Sequence, residues 1–324
     1  MKDSLRWAYA INAWNFRMDV FVRHEDQLRA LKTMSVLGFD HVELASGMGG
    51  RWENLGHPGI IEINHGGPEG LLAFLGRGGV LGVSSWFWDP GQPAEENAYA
   101  FWMTRNPGNH DAIVEASKPF IEMLGALGGD QLVVRPTGSA WMAPPLGPDD
   151  AAVVGSLWNR VGEVAAATGV RVALHYDCLQ SFHTQEQLVS LLDATDPAAV
   201  GLALDTAELT IGGIDPVAFY DAHHDRVTHV HLKDTRYADS GDEHLLPGAE
   251  STMLKGGAGR GIERWFYELG TEGGLVDVEG FVAALRAHDF PGWVVVESDK
   301  AGNPAELAML NSWYVQNRLG VAKA

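Results

Sequence analysis

Eight short β-rich runs recur along the chain with helical patterns between most of them, and this alternation constrains the fold more than any other feature. The runs are RWAYAINAW (6 to 14), HVELA (41 to 45), VSSWFWD (83 to 89), QLVVRP (131 to 136), RVALHYD (171 to 177), VGLALDT (200 to 206), RVTHVHLKD (226 to 234) and WVVVESD (293 to 299). Apolar residues at helical spacing fill EDQLRALKTMSVLGF, AIVEASKPFIEMLGALG, DAAVVGSLWNRVGEVAAATG, QEQLVSLLDAT, DVEGFVAALRAHDF and PAELAMLNSWYVQNRLG. Glycine or another turn residue closes most of these segments, as helix C-capping requires. Strands alternating with helices build βαβ units around a parallel sheet. Eight of them in 324 residues predict an α/β fold of the (β/α)8 barrel type, residues 1–324 forming one domain. An open dinucleotide-binding sheet fits less well, because no GxGxxG follows the first strand.

Three connections after strands are long: 46 to 66, 90 to 110 and 235 to 276. All three are expected on the C-terminal face of the barrel, where active sites of this architecture form. The last far exceeds the usual connection of about 2 to 6 residues. It is rich in glycine yet carries Trp265, Phe266 and Tyr267, which reads as a lid over a pocket or a docking surface for a partner.

The formal charge is −19, with 42 acidic residues against 23 lysines and arginines. Such a surface works against binding a polyanion, so nucleic acid is not expected as a partner. One cysteine, Cys178, excludes an internal disulfide and a multi-cysteine metal site. No run reaches the roughly 18 apolar residues of a membrane span, and MKDSLRWAYA carries charge where a signal peptide needs its apolar segment. A soluble, cytoplasmic protein is the expectation.

Side chains along a strand alternate between faces, so in THVHLKD the histidines His229 and His231 share one face while Val230 and Leu232 share the other. Metal-capable side chains close four consecutive late strands: His175 and Asp177, then Asp205, then His229 and His231, then Glu297. In a barrel these ends converge on the axis. Imidazole mixed with carboxylate suits a divalent ion such as Mn2+, Fe2+, Co2+ or Zn2+.

LALDTAEL, GGIDPVAFY, RVTHVHLKDTR and the final VVVESD resemble the xylose-isomerase-like TIM barrels, the metal-dependent sugar isomerase/epimerase family that also holds inosose dehydratases. The resemblance is firmest over residues 170 to 300. It implies a metal, Mn2+ first among Co2+, Fe2+, Mg2+ and Zn2+, held by His175, Asp205, His231 and Glu297. It turns His229, Lys233 and Arg236 toward the substrate. Catalytic roles are expected of His175, Asp177 and Glu297, and the base is sought among His175, Asp177 and His231, each of which could sit near the metal. Two departures carry information. His175 stands where many members have the Glu that pairs with the last-strand Glu in epimerases; inosose dehydratases resemble this chain there, which points toward elimination. Glu208 stands where the family often has His in DTGH, which alters the recognised hydroxyl. Segments such as LVVRPTGSAW also resemble the large subunits of C-glycoside deglycosidases, which work with a small β-rich partner subunit.

Around the metal residues, Trp14, Glu43, Trp86, Trp88, Arg135 and Trp141 fall at strand ends on the same side of the barrel. Aromatic faces and a guanidinium suit a polyhydroxylated ring bearing something flat. The leading expectation is a metal-dependent lyase or isomerase that removes a proton beside the carbonyl of a keto-sugar or keto-glycoside, with β-elimination preferred. Isomerisation or 3-epimerisation is the alternative. A non-catalytic sugar-binding or scaffold subunit is the reading from another class. The small-molecule partner is a sugar or glycoside, and the barrel is expected to be a homo-oligomer or a hetero-oligomer with a small subunit.

Overall fold

The computed structural model describes residues 5–14, 23–46, 53–90, 104–141, 145–239, 241–246, 248–249, 265–298 and 303–321. Ten strands are described: β1 (Arg6–Ala10), β2 (His41–Ser46), β3 (Gly82–Trp88), β4 (Gln131–Val134), β5 (Arg171–His175), β6 (Val200–Asp205), β7 (Val227–Leu232), β8 (Asp234–Thr235), β9 (Phe266–Tyr267) and β10 (Trp293–Val296). Strands β1 to β7 and β10 close an eight-stranded barrel in the order β1-β10-β7-β6-β5-β4-β3-β2, with parallel pairing throughout. The expected runs become shorter strands. β1 gives way to a 3-10 turn at Ile11–Trp14, and β5 stops at His175, so that the last residues of each run form the loops that carry the site.

The helices are α1 (His24–Val36), α2 (Glu53–Gly56), α3 (Pro58–His65), α4 (Pro68–Arg77), α5 (His110–Ala126), α6 (Pro148–Ala166), α7 (Gln185–Asp193), α8 (Thr206–Ile211), α9 (Pro216–His223), α10 (Val278–Ala287) and α11 (Pro304–Asn317). The connection expected as an insertion at 46 to 66 is therefore largely helical beyond residue 52. His57 starts α3 by accepting from the Gly59 N–H, Pro58 fits the first turn, and Gly66 ends it at φ 73. Most of the expected insertion at 90 to 110 lies outside the described residues. None of the described helices is long and apolar enough to cross a membrane.

Two apolar layers hold the barrel. The outward strand faces and the helices form the main core, including Leu44, Val83, Trp86, Leu132, Val172, Leu202, Val230 and Val294. The inward face is lined by small residues, with Ala8 and Ala10 packed on Trp293 and Val295, and Ala173 and Ala203 packed on Val133 and Phe87. Alanines on the inward face leave room for larger polar side chains within the barrel.

Register decides which side chains those are. Leu202 pairs with Val227, but Ala203 pairs with His229, so β7 carries one extra residue, Thr228. Val227, Val230 and Leu232 all join the outward core only because of this bulge, and His229 and His231 turn inward with Ala203 and Asp205. Gly201 makes the bulge feasible, since a Cβ there would meet the Thr228 side chain at 2.4 Å. A similar shift separates the pairs Val42 with Val83 and Glu43 with Ser85.

Candidate functional site

Asp205 is the last residue of β6 and pairs in register with His231 on β7. It starts α8: its Oδ1 accepts from the N–H groups of Ala207 and Glu208, each at 3.0 Å. That leaves Oδ2 to face the barrel mouth, where His175 Nε2 lies 3.4 Å away, His231 Nδ1 3.8 Å and Lys233 Nζ 2.9 Å. Glu297, just beyond β10, brings Oε2 to 3.1 Å from His231 Nδ1 and 2.9 Å from Lys233 Nζ, while Asn12 donates to its Oε1. Burial works to raise both carboxyls. The Lys233 ammonium, together with His175 for Asp205 and His231 for Glu297, outweighs it, holding Asp205 below and Glu297 well below their usual range.

A second layer lies beneath. Glu43, 1% exposed, accepts from Ser85 Oγ at 2.8 Å, and its two oxygens lie 2.9 Å from His229 Nε2 and 2.8 Å from His231 Nε2. Burial alone would raise the Glu43 carboxyl, but the two histidines bring it down to about 2. His231 is pulled down by burial, yet Glu43 and Glu297 on its two sides lift it well above an ordinary imidazole; burial lowers His229. Glu43 thus fixes His231 through Nε2 and aims Nδ1 at the mouth, in the arrangement by which a carboxylate orients a metal-ligating histidine.

Around the mouth, Phe87 faces inward, its ring 5.3 Å from that of His175 and 6.4 Å from that of His231. Arg135 is buried beside two acids, 3.1 Å from Asp177 Oδ2 and 3.9 Å from Asp89 Oδ2. Glu208, 4% exposed, accepts from the Cys178 N–H, and burial together with neighbouring Asp177 raises its carboxyl well above the usual range.

The structure therefore brings together His175, Asp205, His231, Glu297 and Lys233, with Asp177, Arg135 and Glu208 beside them and His229 below. Several expectations change. Trp86 and Trp88 do not face the interior; they pack outward on Phe120 of α5, each with ring centroids 5.4 Å away, because their parity on β3 is opposite to that of Ser85 and Phe87. Glu43 is not at the mouth but supports His231 from beneath. Arg236 lies over the Tyr267 ring at 4.2 Å and donates to Thr271 Oγ1, so it braces the long connection rather than facing the site. Trp14 packs edge-on against Tyr9, and Trp141 packs against the main core. The sequence reading missed Phe87, Asn12, Asp89 and Ser85. No sequence signal marks Phe87, because both faces of β3 carry aromatic rings, and nothing local marks Asn12.

The ends of the connection at 235 to 276 are pinned together. β8 pairs antiparallel with β9, and the buried Asp234 accepts from the N–H groups of Gly270 and Val276. Farther along, the His244 ring stacks on His183 from the loop after β5, with centroids 3.6 Å and planes 3° apart. Their Nδ1 atoms are engaged by Asp239 Oδ2 and the Cys178 carbonyl, so this stack fastens one loop to the other.

The donor set passes a chemical test for a divalent ion. His175, Asp205 and His231 each offer a ligand atom within 4.8 Å of the others, all from buried residues. Glu297 adds a carboxylate at 3.1 Å from His231 Nδ1. His231 Nδ1, the ring nitrogen turned toward the mouth, is buried without a well-formed hydrogen bond. Polar atoms are seldom left so inside a protein unless a ligand completes them.

Known proteins agree with this architecture. The family description "Xylose isomerase-like TIM barrel" matches residues 31–313. An inosose dehydratase of Lactiplantibacillus plantarum is 33% identical over 164 residues, covering 50% of this chain and 52% of that protein. The chain spans about half the length of this and other curated inosose dehydratases that it matches. The D-allulose 3-epimerase of a Methylomonas species superposes with a TM-score of 0.68 at 18% identity, over 97% of this chain and 98% of the other. The IolI protein with a bound zinc atom superposes with a TM-score of 0.66 at 13% identity, over 99% of this chain and 100% of the other. At those identities the superpositions show the fold alone.

Proposed function

The chain belongs to the xylose isomerase-like TIM barrel family, and from that premise and the site geometry we propose that it is a divalent-metal-dependent sugar lyase acting on a cyclic polyhydroxy ketone or a keto-glycoside. Asp205, His231, His175 and Glu297 would hold the ion, and Mn2+, Co2+, Fe2+ or Zn2+ suits their mixed oxygen and nitrogen donors. When bound, the ion supplies Lewis-acid polarisation of the substrate carbonyl.

The observation that carries the reading is a division of labour between two buried carboxyls. Lys233 and His231 push the Glu297 carboxyl well below the usual range against its burial, and burial together with Asp177 pushes the Glu208 carboxyl well above it. Groups pushed apart in this way mark a base and an acid in one site. Glu297 takes the proton from the carbon beside the carbonyl, and the electron pair released forms the new carbon–carbon double bond as the bond to the β-oxygen breaks. Glu208 gives its proton to that oxygen, which leaves as water, and Asp177 beside it supports the transfer while Arg135 fixes Asp177. Phe87 lies against one flat side of the ring and restricts water.

The relatives named inosose dehydratase support elimination. Epimerisation is the second reading, supported by the D-allulose 3-epimerase fold. It requires a second ionised carboxylate opposite Glu297, and β5 ends there in His175.

The test is proton NMR in D2O of Mn2+-loaded protein with an inosose, a 3-keto-glucoside and D-allulose. Loss of water or of the aglycone is expected, with Glu208→Gln slowing product release more than deuterium uptake beside the carbonyl. Deuterium uptake with the carbon skeleton kept would establish the epimerase instead. Neither signal, in protein shown to contain metal, would exclude enolisation of these substrates.

A further inference from the structure

Resting on the cation site just proposed, we infer that the Lys233 ammonium and the divalent ion are alternative occupants of one position, so that loading the ion expels a resident positive charge from between Asp205 and Glu297. Lys233 is 2% exposed, and its Nζ lies 2.9 Å from Asp205 Oδ2 and 2.9 Å from Glu297 Oε2. Those are the two oxygens that His175 and His231 also face, at 3.4 Å and 3.1 Å. The lone pairs aimed at the ammonium are therefore the ones a dication would take. Two such charges within a few ångströms in a dry interior repel strongly, so one displaces the other.

The ammonium also has somewhere to go. Its Nζ stands 4.3 Å from the centroid of the Phe266 ring on β9, a face that attracts a cation. The lysine backbone is clamped, because its N–H donates to Thr206 Oγ1 at 3.0 Å and its carbonyl accepts from the same hydroxyl at 2.7 Å. Only the side chain moves, and it moves between the carboxylates and a ring belonging to the strand that pins the long connection. The metal-free site is a self-neutralised cluster rather than a group of repelling acids, and ion uptake is an exchange of one cation for another.

The experiment measures Mn2+ affinity, from the free-ion electron paramagnetic resonance signal, together with thermal unfolding in chelator, for wild type, Lys233→Met and Lys233→Arg. Lys233→Met is expected to bind Mn2+ at least about tenfold more tightly and to melt lower than wild type when metal-free, because two buried carboxylates lose their partner. Lys233→Arg keeps the charge on a wider fork, and is expected to bind at least about tenfold more weakly with metal-free stability retained. Equal affinities in all three proteins, or a metal-free Lys233→Met as stable as wild type, overturn the exchange and leave the cation site standing. Failure of all three to take up Mn2+ overturns the cation site and the exchange with it. Should Lys233→Met not fold, the Arg variant decides the matter alone: affinity equal to wild type sinks the exchange.

Discussion

Glu43 and Asp205 are both fully buried carboxylates, and each stands beside the same ring, His231, on opposite sides of it. Glu43 is closed on itself. Ser85 donates to it, and His229 and His231 lie against its two oxygens, so both oxygens already have partners. Asp205 is half open, because the start of α8 occupies Oδ1 and leaves Oδ2 toward the mouth with two imidazoles and an ammonium. Both are buried carboxylates, so neither the functional group nor its burial distinguishes an ion ligand from a support. What distinguishes them is whether the fold has already used both oxygens.

Asp205→Asn tests the open side. The amide oxygen still accepts the α8 N–H groups, so the helix start survives, but the charged oxygen is gone. Turnover in the presence of Mn2+ should fall on the order of 10³-fold, by analogy with the loss of one transition-state donor, and the metal-free protein should melt lower because the Lys233 ammonium loses one of its two carboxylates. Steady-state kinetics beside calorimetry check it, and a variant that keeps its turnover would erase the distinction between the two carboxylates.

Glu43→Gln tests the closed side and should act more gently, lowering Mn2+ affinity about 10–100-fold, as loss of a residue that orients a ligand does. It also carries an acid signature. The folded carboxyl is depressed from an ordinary 4.5 to about 2, so its contribution to stability is complete above the ordinary value and is lost as pH falls through that window. The wild-type melting temperature should therefore drop more steeply between those limits than that of Glu43→Gln. Parallel curves would mean that the histidines do not hold this carboxylate.

The smallest effects belong to the outward face. Trp86→Phe and Trp88→Phe should each cost about 1–3 kcal/mol in denaturant unfolding while leaving KM unchanged, whereas Phe87→Leu should raise KM with stability nearly intact. A rise in KM in either tryptophan variant would place those rings back at the substrate.

Much of this plan was legible in the residues. The alternation of strand and helix runs marks the eight barrel strands, and His175, Asp205, His231 and Glu297 stand out because late strand ends meet on the axis. Depth and handedness were harder. Glu43 is followed by three more strand residues to Ser46, whereas Asp205 is the last of its strand, and that difference places Glu43 lower in the barrel. In VSSWFWD the tryptophans share one face and Phe87 the other, but both faces are aromatic, so only pairing partners reveal which looks inward. Arg236 was misplaced because β8 pairs back on β9 immediately after Lys233, a reversal set by residues about 30 positions away. The helices at α2 and α3 were hidden by glycines and by their short length.

Thr228 gives the chain an unusual kind of tolerance. Its side chain has no chemical task at the site, and many residues that fit beside Gly201 could stand there. Val227 would otherwise share a face with His229 and His231, and the bulge absorbs that mismatch, so Val227 looks outward while both histidines, paired with Ala203 and Asp205, look inward. A survey of amino-acid replacements would record position 228 as tolerant. Removal of that one residue would be tolerated by the same logic, since it leaves a strictly alternating strand with the same pairs, Val227 still against Leu202 and His229 still against Ala203, and both imidazoles at the axis.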